Sequence, residues 1–284
     1  MNQYLRYRLL GSPVLAVVAI CFAVGCGGPR INEQPLSLDA QQSWREDRLQ
    51  LSKLHRSGVC ELRWTDDQGK RHFEPQVDCD LWWQPPEAFA LQFSKLGETL
   101  GWVGGDGERL WLFDLLSQPT QLVIIEPEAA ADATAFGLPL AGLLDGWQLR
   151  PFSPGGEGFA ELVETRLGRA KLFALDPSSP PSRLETVDGN LEVAYDRWSL
   201  IDRAAEDTND RGVGQWFPER VQWTLRSPEA TATFWLREPR RALEKQRWNR
   251  LFDLERLRRS FLPQTTSVLP SGASEGVSAK TADF

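Results

Sequence analysis

The chain has 284 residues, enough for one large domain or two small ones around a real core. Its 41% hydrophobic and 25% charged content is that of a globular protein, and a formal charge of −7 leaves no basic footprint for nucleic acid, so that class is set aside. Twelve tryptophans, against three tyrosines and two histidines, suit a large core or a cavity for something greasy.

Arg6 and Arg8 precede an uninterrupted apolar stretch over residues 14–24, which suits a secretory signal and is too short to span a bilayer comfortably. The stretch ends in Ala23-Val24-Gly25-Cys26, which resembles the lipobox of bacterial lipoproteins. That resemblance implies a signal peptide over residues 1–25 and diacylglyceryl modification of Cys26 as the new N-terminus. Bulky Ile20 makes Cys21 the poorer site. Each buried methylene of an acyl chain contributes about 0.8 kcal/mol, so several chains hold a protein to its membrane. By the same resemblance, Gly27 in place of aspartate implies delivery to the outer membrane, facing the periplasm. Residues 26–38 then form the lipidated cysteine and a tether, whose twelve residues after Cys26 reach roughly 40 Å when extended.

Residues 39–56 read as a helix capped by Ser37 or Asp39, with Trp44, Leu51, Leu54 and His55 near one face. His55 reads as a helix-surface or interface histidine. From Gly58 the apolar period becomes two. Cys60, Leu62 and Trp64 alternate with Glu61 and Arg63; Phe73, Val77, Cys79, Leu81 and Trp83 oppose Glu74, Gln76, Asp78 and Asp80. Such alternation marks antiparallel strands with one wet face. Further strands are expected over residues 88–96, 99–103, 109–115 and 121–126, with Gly104-Gly105-Asp106-Gly107 as a turn. An apolar insertion over residues 128–145, helical in pieces and hinged at Gly137 and Pro139, interrupts the run. Strands resume over residues 159–166, 170–175, 182–187, 191–198, 220–225 and 230–237, with a polar loop at 202–214. Strand parity points Trp64, Trp83, Phe89, Leu91, Phe93, Trp102 and Leu110 inward, as the lining of a hydrophobic cavity. Residues 239–262 read as an amphipathic basic helix that packs on the acidic body or lies on a membrane surface. Residues 263–284 read as a disordered tail.

Once Cys21 leaves with the signal and Cys26 is acylated, Cys60 and Cys79 are the free pair, and an oxidising compartment favours a bridge. If Gly69-Lys70 forms a two-residue type II′ turn, Trp64 faces Pro75, Leu62 faces Val77 and Cys60 faces Cys79. Directly opposed residues lie within disulfide range. A turn centred one residue earlier pairs Cys60 with Val77 instead, and Pro75 hints at a bulge. The other reading is two buried thiols.

A helix, about six antiparallel strands, an apolar helical insertion and about five more strands follow one another over residues 39–238. The local runs Gly58-Val59-Cys60-Glu61-Leu62, Trp83-Gln84-Pro85-Pro86-Glu87-Ala88-Phe89, Gly107-Glu108-Arg109-Leu110-Trp111 and Phe217-Pro218-Glu219-Arg220-Val221 accompany that order. Together they resemble the LolA/LolB family of periplasmic lipoprotein carriers and acceptors. The resemblance implies an α+β fold, mainly β: a curved, incomplete antiparallel β-barrel closed by a helical lid around an apolar cavity for acyl chains. Two departures stand out. Ala90 occupies the place nearest the lid-latching arginine of LolA-type carriers. The turn at residues 95–100 is shorter than the protruding loop, with its exposed leucine, of LolB-type acceptors.

No HExxH, CxxC or Walker pattern is present. The glycines at 101–107 are followed by no helix. Asp207, Asn209, Asp210 and Gly212 lack the terminal glutamate of a calcium loop. A non-enzymatic protein without cofactor or metal is expected, with acyl chains or lipoproteins as partners. A sensing lipoprotein with an envelope protein partner, and a structural lipoprotein with a filled core, are the competing readings.

Overall fold

A computed structural model describes residues 33–269 apart from 52, 66–67, 127–128, 130–132, 136–137, 151, 155–161, 167, 202–214, 228 and 240–244. The signal peptide, Cys26, most of the tether, the loop at 202–214 and the tail beyond 269 lie outside the described residues. Residues 33–284 form one compact unit. No helix among the described residues is long and apolar enough to cross a membrane.

Most of the chain is one large sheet. Its strands are β1 (Gln34–Pro35), β2 (Leu54–Thr65), β3 (Arg71–Gln84), β4 (Ala88–Lys95), β5 (Glu98–Gly105), β6 (Leu110–Asp114), β7 (Gln121–Ile125), β10 (Ser153–Pro154), β11 (Leu162–Thr165), β12 (Gly168–Ala174), β13 (Arg183–Thr186), β14 (Leu191–Ile201), β15 (Gln215–Arg226), β16 (Glu229–Pro239) and β17 (Thr265–Leu269). The spatial order is β10-β11-β12-β13-β14-β15-β16-β2-β3-β4-β5-β6-β7-β17, with β1 beside β12. Pairing is antiparallel throughout except between β7 and β17, which run parallel. The sheet is open, with β10 and β17 at its edges. A separate ribbon, β8 (Thr134–Ala135) with β9 (Leu138–Pro139), belongs to the insertion.

Helix α1 (Leu38–Leu49) is capped by Ser37, whose hydroxyl accepts from Ala40 N at 3.4 Å. It ends earlier than the expected residue 56. Leu54 and His55 open β2 instead, and His55 stacks on Trp82 and bonds Asp80 at 3.0 Å. Leu51 and Leu54 fit a helical spacing, but Leu51 lies beyond the helix and Leu54 opens the strand, both buried in the core.

The β2–β3 hairpin corrects two expectations at once. β2 ends at Thr65 and β3 begins at Arg71, pairing Thr65 with Arg71 and Trp64 with His72. A bulge then shifts the register between Cys60 and Leu62, and Gln76 takes φ 53. Cys60 therefore faces Val77, Cys79 faces Gly58, and both cysteines are buried free thiols rather than a directly opposed bridged pair. The bulge also inverts parity in the first half of β3. His72 stacks on Trp64 at 4.8 Å on the inner face, and Phe73 turns outward, 49% exposed, beneath Arg63.

The sheet has a buried layer on each face. The larger core fills the concave side, from Trp64, Leu91 and Phe93 across to Val193, Val221 and Phe234. The smaller core lies on the opposite face, where Trp82, Ala90, Trp102, Trp111 and Phe113 are covered by Trp248, Leu254 and Leu257. Its cover is not the single helix expected over residues 239–262. β16 runs on to Pro239, and two short helices follow, α3 (Lys245–Arg250) and α4 (Leu254–Phe261), the second capped by Asp253. Their apolar residues face the sheet. Residues 265–269, expected in a disordered tail, form β17.

Candidate functional site: a plugged apolar trough

Strand alternation and the accumulated twist of fourteen strands make the inner face an apolar trough. Of the seven residues expected to line a cavity, Trp64, Trp83, Phe89, Leu91, Phe93 and Leu110 belong to the concave core. Trp102 does not. It sits in the outer core, stacked on Trp82 at 5.4 Å and against Phe261 at 5.8 Å. In β5 residues 101–105 are all buried because both faces are covered, so alternation gives no parity there.

The trough is not empty. It is occupied by the insertion: β9, a single 3₁₀ turn (Leu140–Gly142), helix α2 (Leu143–Gly146) and the residues after it. Leu138, Leu140, Leu143, Leu144, Trp147, Leu149 and Phe152 are buried there together with Trp44 of α1. Trp147 meets Phe234 edge-on at 5.0 Å. Gly146 is a close approach: a Cβ there would lie 1.9 Å from the Trp223 ring. Among the described residues, no backbone–backbone hydrogen bond joins residues 138–149 to the large sheet. The plug is held by side chains.

Two polar clusters do the holding. In the first, Gln148, at φ 54, accepts from Trp44 Nε1 at 3.0 Å and its Nε2 lies 3.0 Å from the Tyr195 hydroxyl. Burial pushes the Tyr195 phenol up. Beside it Arg48 stacks on Trp44 at 4.1 Å and donates to Trp216 O at 2.7 Å. Burial lowers the Arg48 guanidinium to about 10, and its Nε and Nη2 have no hydrogen-bond partner among the described residues. In the second, Asp145 of α2 takes Arg150 Nη2 at 2.7 and 2.8 Å and the Arg166 backbone N–H at 2.7 Å. Arg166 in turn pairs with Glu87 of the β3–β4 turn at 2.9 Å. Burial raises the Asp145 carboxyl in spite of Arg150, and lowers Arg150 in spite of Asp145. Sequence reasoning missed both clusters. Their signal was two polar residues, Asp145 and Gln148, inside an otherwise apolar run.

At the end of the trough a groove of about 530 Å³ opens between Trp64, His72, Arg63, Arg71 and Glu229. Among the described residues, no three His, Cys, Asp or Glu side chains gather as metal ligands.

The chain is similar to LolA-superfamily structures. One match is a domain from Vibrio parahaemolyticus described as outer membrane lipoprotein-sorting, at 9% identity and TM-score 0.49, covering 75% of this chain and 96% of that one. Another is a LolA superfamily protein from Nitrosomonas europaea, at 12% identity and TM-score 0.44, covering 76% and 98%. A DUF1329 family protein from Desulfovibrio piger matches at 9% identity and TM-score 0.48, covering 75% and 97%. No family model matches the chain, and no curated protein matches it.

Proposed function

We propose that this chain is a membrane-tethered lipoprotein that takes up acyl chains of lipids or lipoproteins in its trough, with no covalent chemistry. The observation that carries this reading is the plug. An apolar trough on a continuous sheet is filled by a segment that no backbone hydrogen bond ties to that sheet among the described residues. Displacing the plug leaves the strands intact and frees a cavity lined by Trp83, Phe89, Leu91 and Phe93. Removing an acyl chain from water is favourable at about 25 cal/mol per Å², so such a site needs shape and dryness rather than a catalytic group.

The β4–β5 turn carries Leu96 at its tip, 97% exposed and at φ 53, but it is shorter than the protruding loop of LolB-type acceptors, so the proposal includes no LolB-style insertion step.

The anchor is tested by Cys26→Ala, which should leave an uncleaved precursor or release the body to the soluble periplasmic fraction. Membrane fractionation of a processed form would rule out lipidation at Cys26. Uptake is tested with a fluorescent fatty acid, whose binding should quench tryptophan emission and weaken on Leu91→Gln. The completeness of the fill favours a second reading, a structural envelope lipoprotein. Absence of probe binding even when the plug is loosened would select it.

A further inference from the structure

We propose that the rim where α4 meets the β6–β7 turn is a docking surface for a bilayer bearing anionic headgroups. The proposal takes a nearby membrane from the reading above, but rests on neither Cys26 nor an acyl ligand in the trough. Helix α4 ends at Leu262, which adopts the left-handed conformation (φ 48, ψ 55) with its N–H on Arg258 O at 3.0 Å. Glycine or asparagine is the ordinary occupant of such a cap, and leucine there is disfavoured by its own Cβ. The side chain gains no burial in return, being 73% exposed.

Two residues later Gln264 N donates to Thr120 O at 2.9 Å, so Leu262 is fixed on the rim beside the β6–β7 turn. That turn carries Leu116, 37% exposed, its backbone N–H held by Asp114 Oδ1 at 3.1 Å. The exposed leucines are therefore placed by hydrogen bonds on their backbone N–H groups, Leu262 to Arg258 O and Leu116 to the Asp114 carboxylate. The last two turns of α4 add Arg256, Arg258 and Arg259, all exposed, on a chain whose formal charge is −7. Exposed leucines beside a cluster of arginines match the apolar interior and anionic surface of a lipid leaflet. The β4–β5 turn with exposed Leu96 ends at the same side of these neighbouring strands and adds a further apolar side chain to the rim.

The test uses residues 33–284, the compact unit that holds both cores, and so has no anchor. Co-sedimentation with phosphatidylglycerol-containing vesicles is compared with pure phosphatidylcholine vesicles. Binding is expected to anionic vesicles and to fall with salt. Arg258→Glu with Arg259→Glu should weaken it by roughly fivefold or more per site. Leu262→Asn, which keeps a left-handed cap, should weaken it by roughly tenfold. Thermal unfolding of each variant checks the fold, and the exposed arginine pair serves if Leu262→Asn unfolds. Absence of anionic binding, or binding indifferent to the arginine pair, overturns the proposal. Fatty-acid uptake that is unchanged in these variants separates its failure from failure of the trough reading.

Discussion

Trp44 Nε1 donates to Gln148 Oε1 across 3.0 Å, joining the first helix to the plug over a sequence separation of 104 residues. Gln148 also lies 3.0 Å from the Tyr195 hydroxyl, so one amide side chain links α1, the plug and β14. Gln148→Ala strands the indole N–H of Trp44 in the core. Each buried polar group left unsatisfied costs about 1–3 kcal/mol. The expected result is a lower thermal midpoint, with faster amide exchange confined to residues 138–149. Uniform loss of protection over the whole sheet would show that the plug and the sheet unfold as one unit.

Gly146→Ala asks whether the plug can leave its seat. The added Cβ would meet the Trp223 ring at 1.9 Å, and overpacking of this kind costs about 1–3 kcal/mol. Part of that strain is relieved if residues 138–149 move out. Under the carrier reading, fatty-acid affinity measured by tryptophan quenching should rise in this variant. Lower stability with no gain in uptake would identify the segment as permanent core.

The concave wall was legible in the sequence wherever a strand has one dry face. Cys60, Leu62 and Trp64 in β2, and Phe89, Leu91 and Phe93 in β4, follow parity as expected. Parity failed for local physical reasons. The bulge at Gln76 reverses it for Phe73, and the outer core removes it from β5, which put Trp102 on the wrong face. The outer core itself depends on α3 and α4 folding back onto strands far earlier in the chain, a pairing no local pattern carries. The β-branched run Thr265, Thr266 and Val268 was the available sign of β17, obscured by the serine- and glycine-rich sequence after it.

Asp145 gives the plug a pH signature. Burial raises its carboxyl above the ordinary 3.8, so the folded protein takes up this proton at a higher pH than the unfolded chain. By linkage, stability contributed at this site increases as pH falls from above the raised value towards 3.8, and the site opposes acid unfolding. Asp145→Asn removes that proton uptake. The stability difference between wild type and variant, followed by urea unfolding, should therefore shift in favour of wild type as pH falls. A pH-independent difference would show that Asp145 has the same affinity for protons folded and unfolded.

Cys60 and Cys79 are diagonal neighbours on the inner face, and their thiols hydrogen-bond each other. That contact and burial push the Cys79 thiol well above its ordinary range, so little reactive thiolate forms. Gly58, opposite Cys79, cannot supply more room, since a Cβ there would lie 1.7 Å from Trp235 O. Two consequences are expected. The native protein should react with a maleimide far more slowly than the unfolded chain, and the denatured, unreduced body should titrate as two thiols per chain. A count of zero in the denatured body would show that the pair is bridged, which requires the β2–β3 register to differ from the one that sets Cys60 against Val77 or the diagonal pair to close. Cys60→Ser separates these two cases. It leaves the strand pairing unchanged if the bridge is merely a diagonal addition, and alters amide exchange across β2 and β3 if the bridge sets the register.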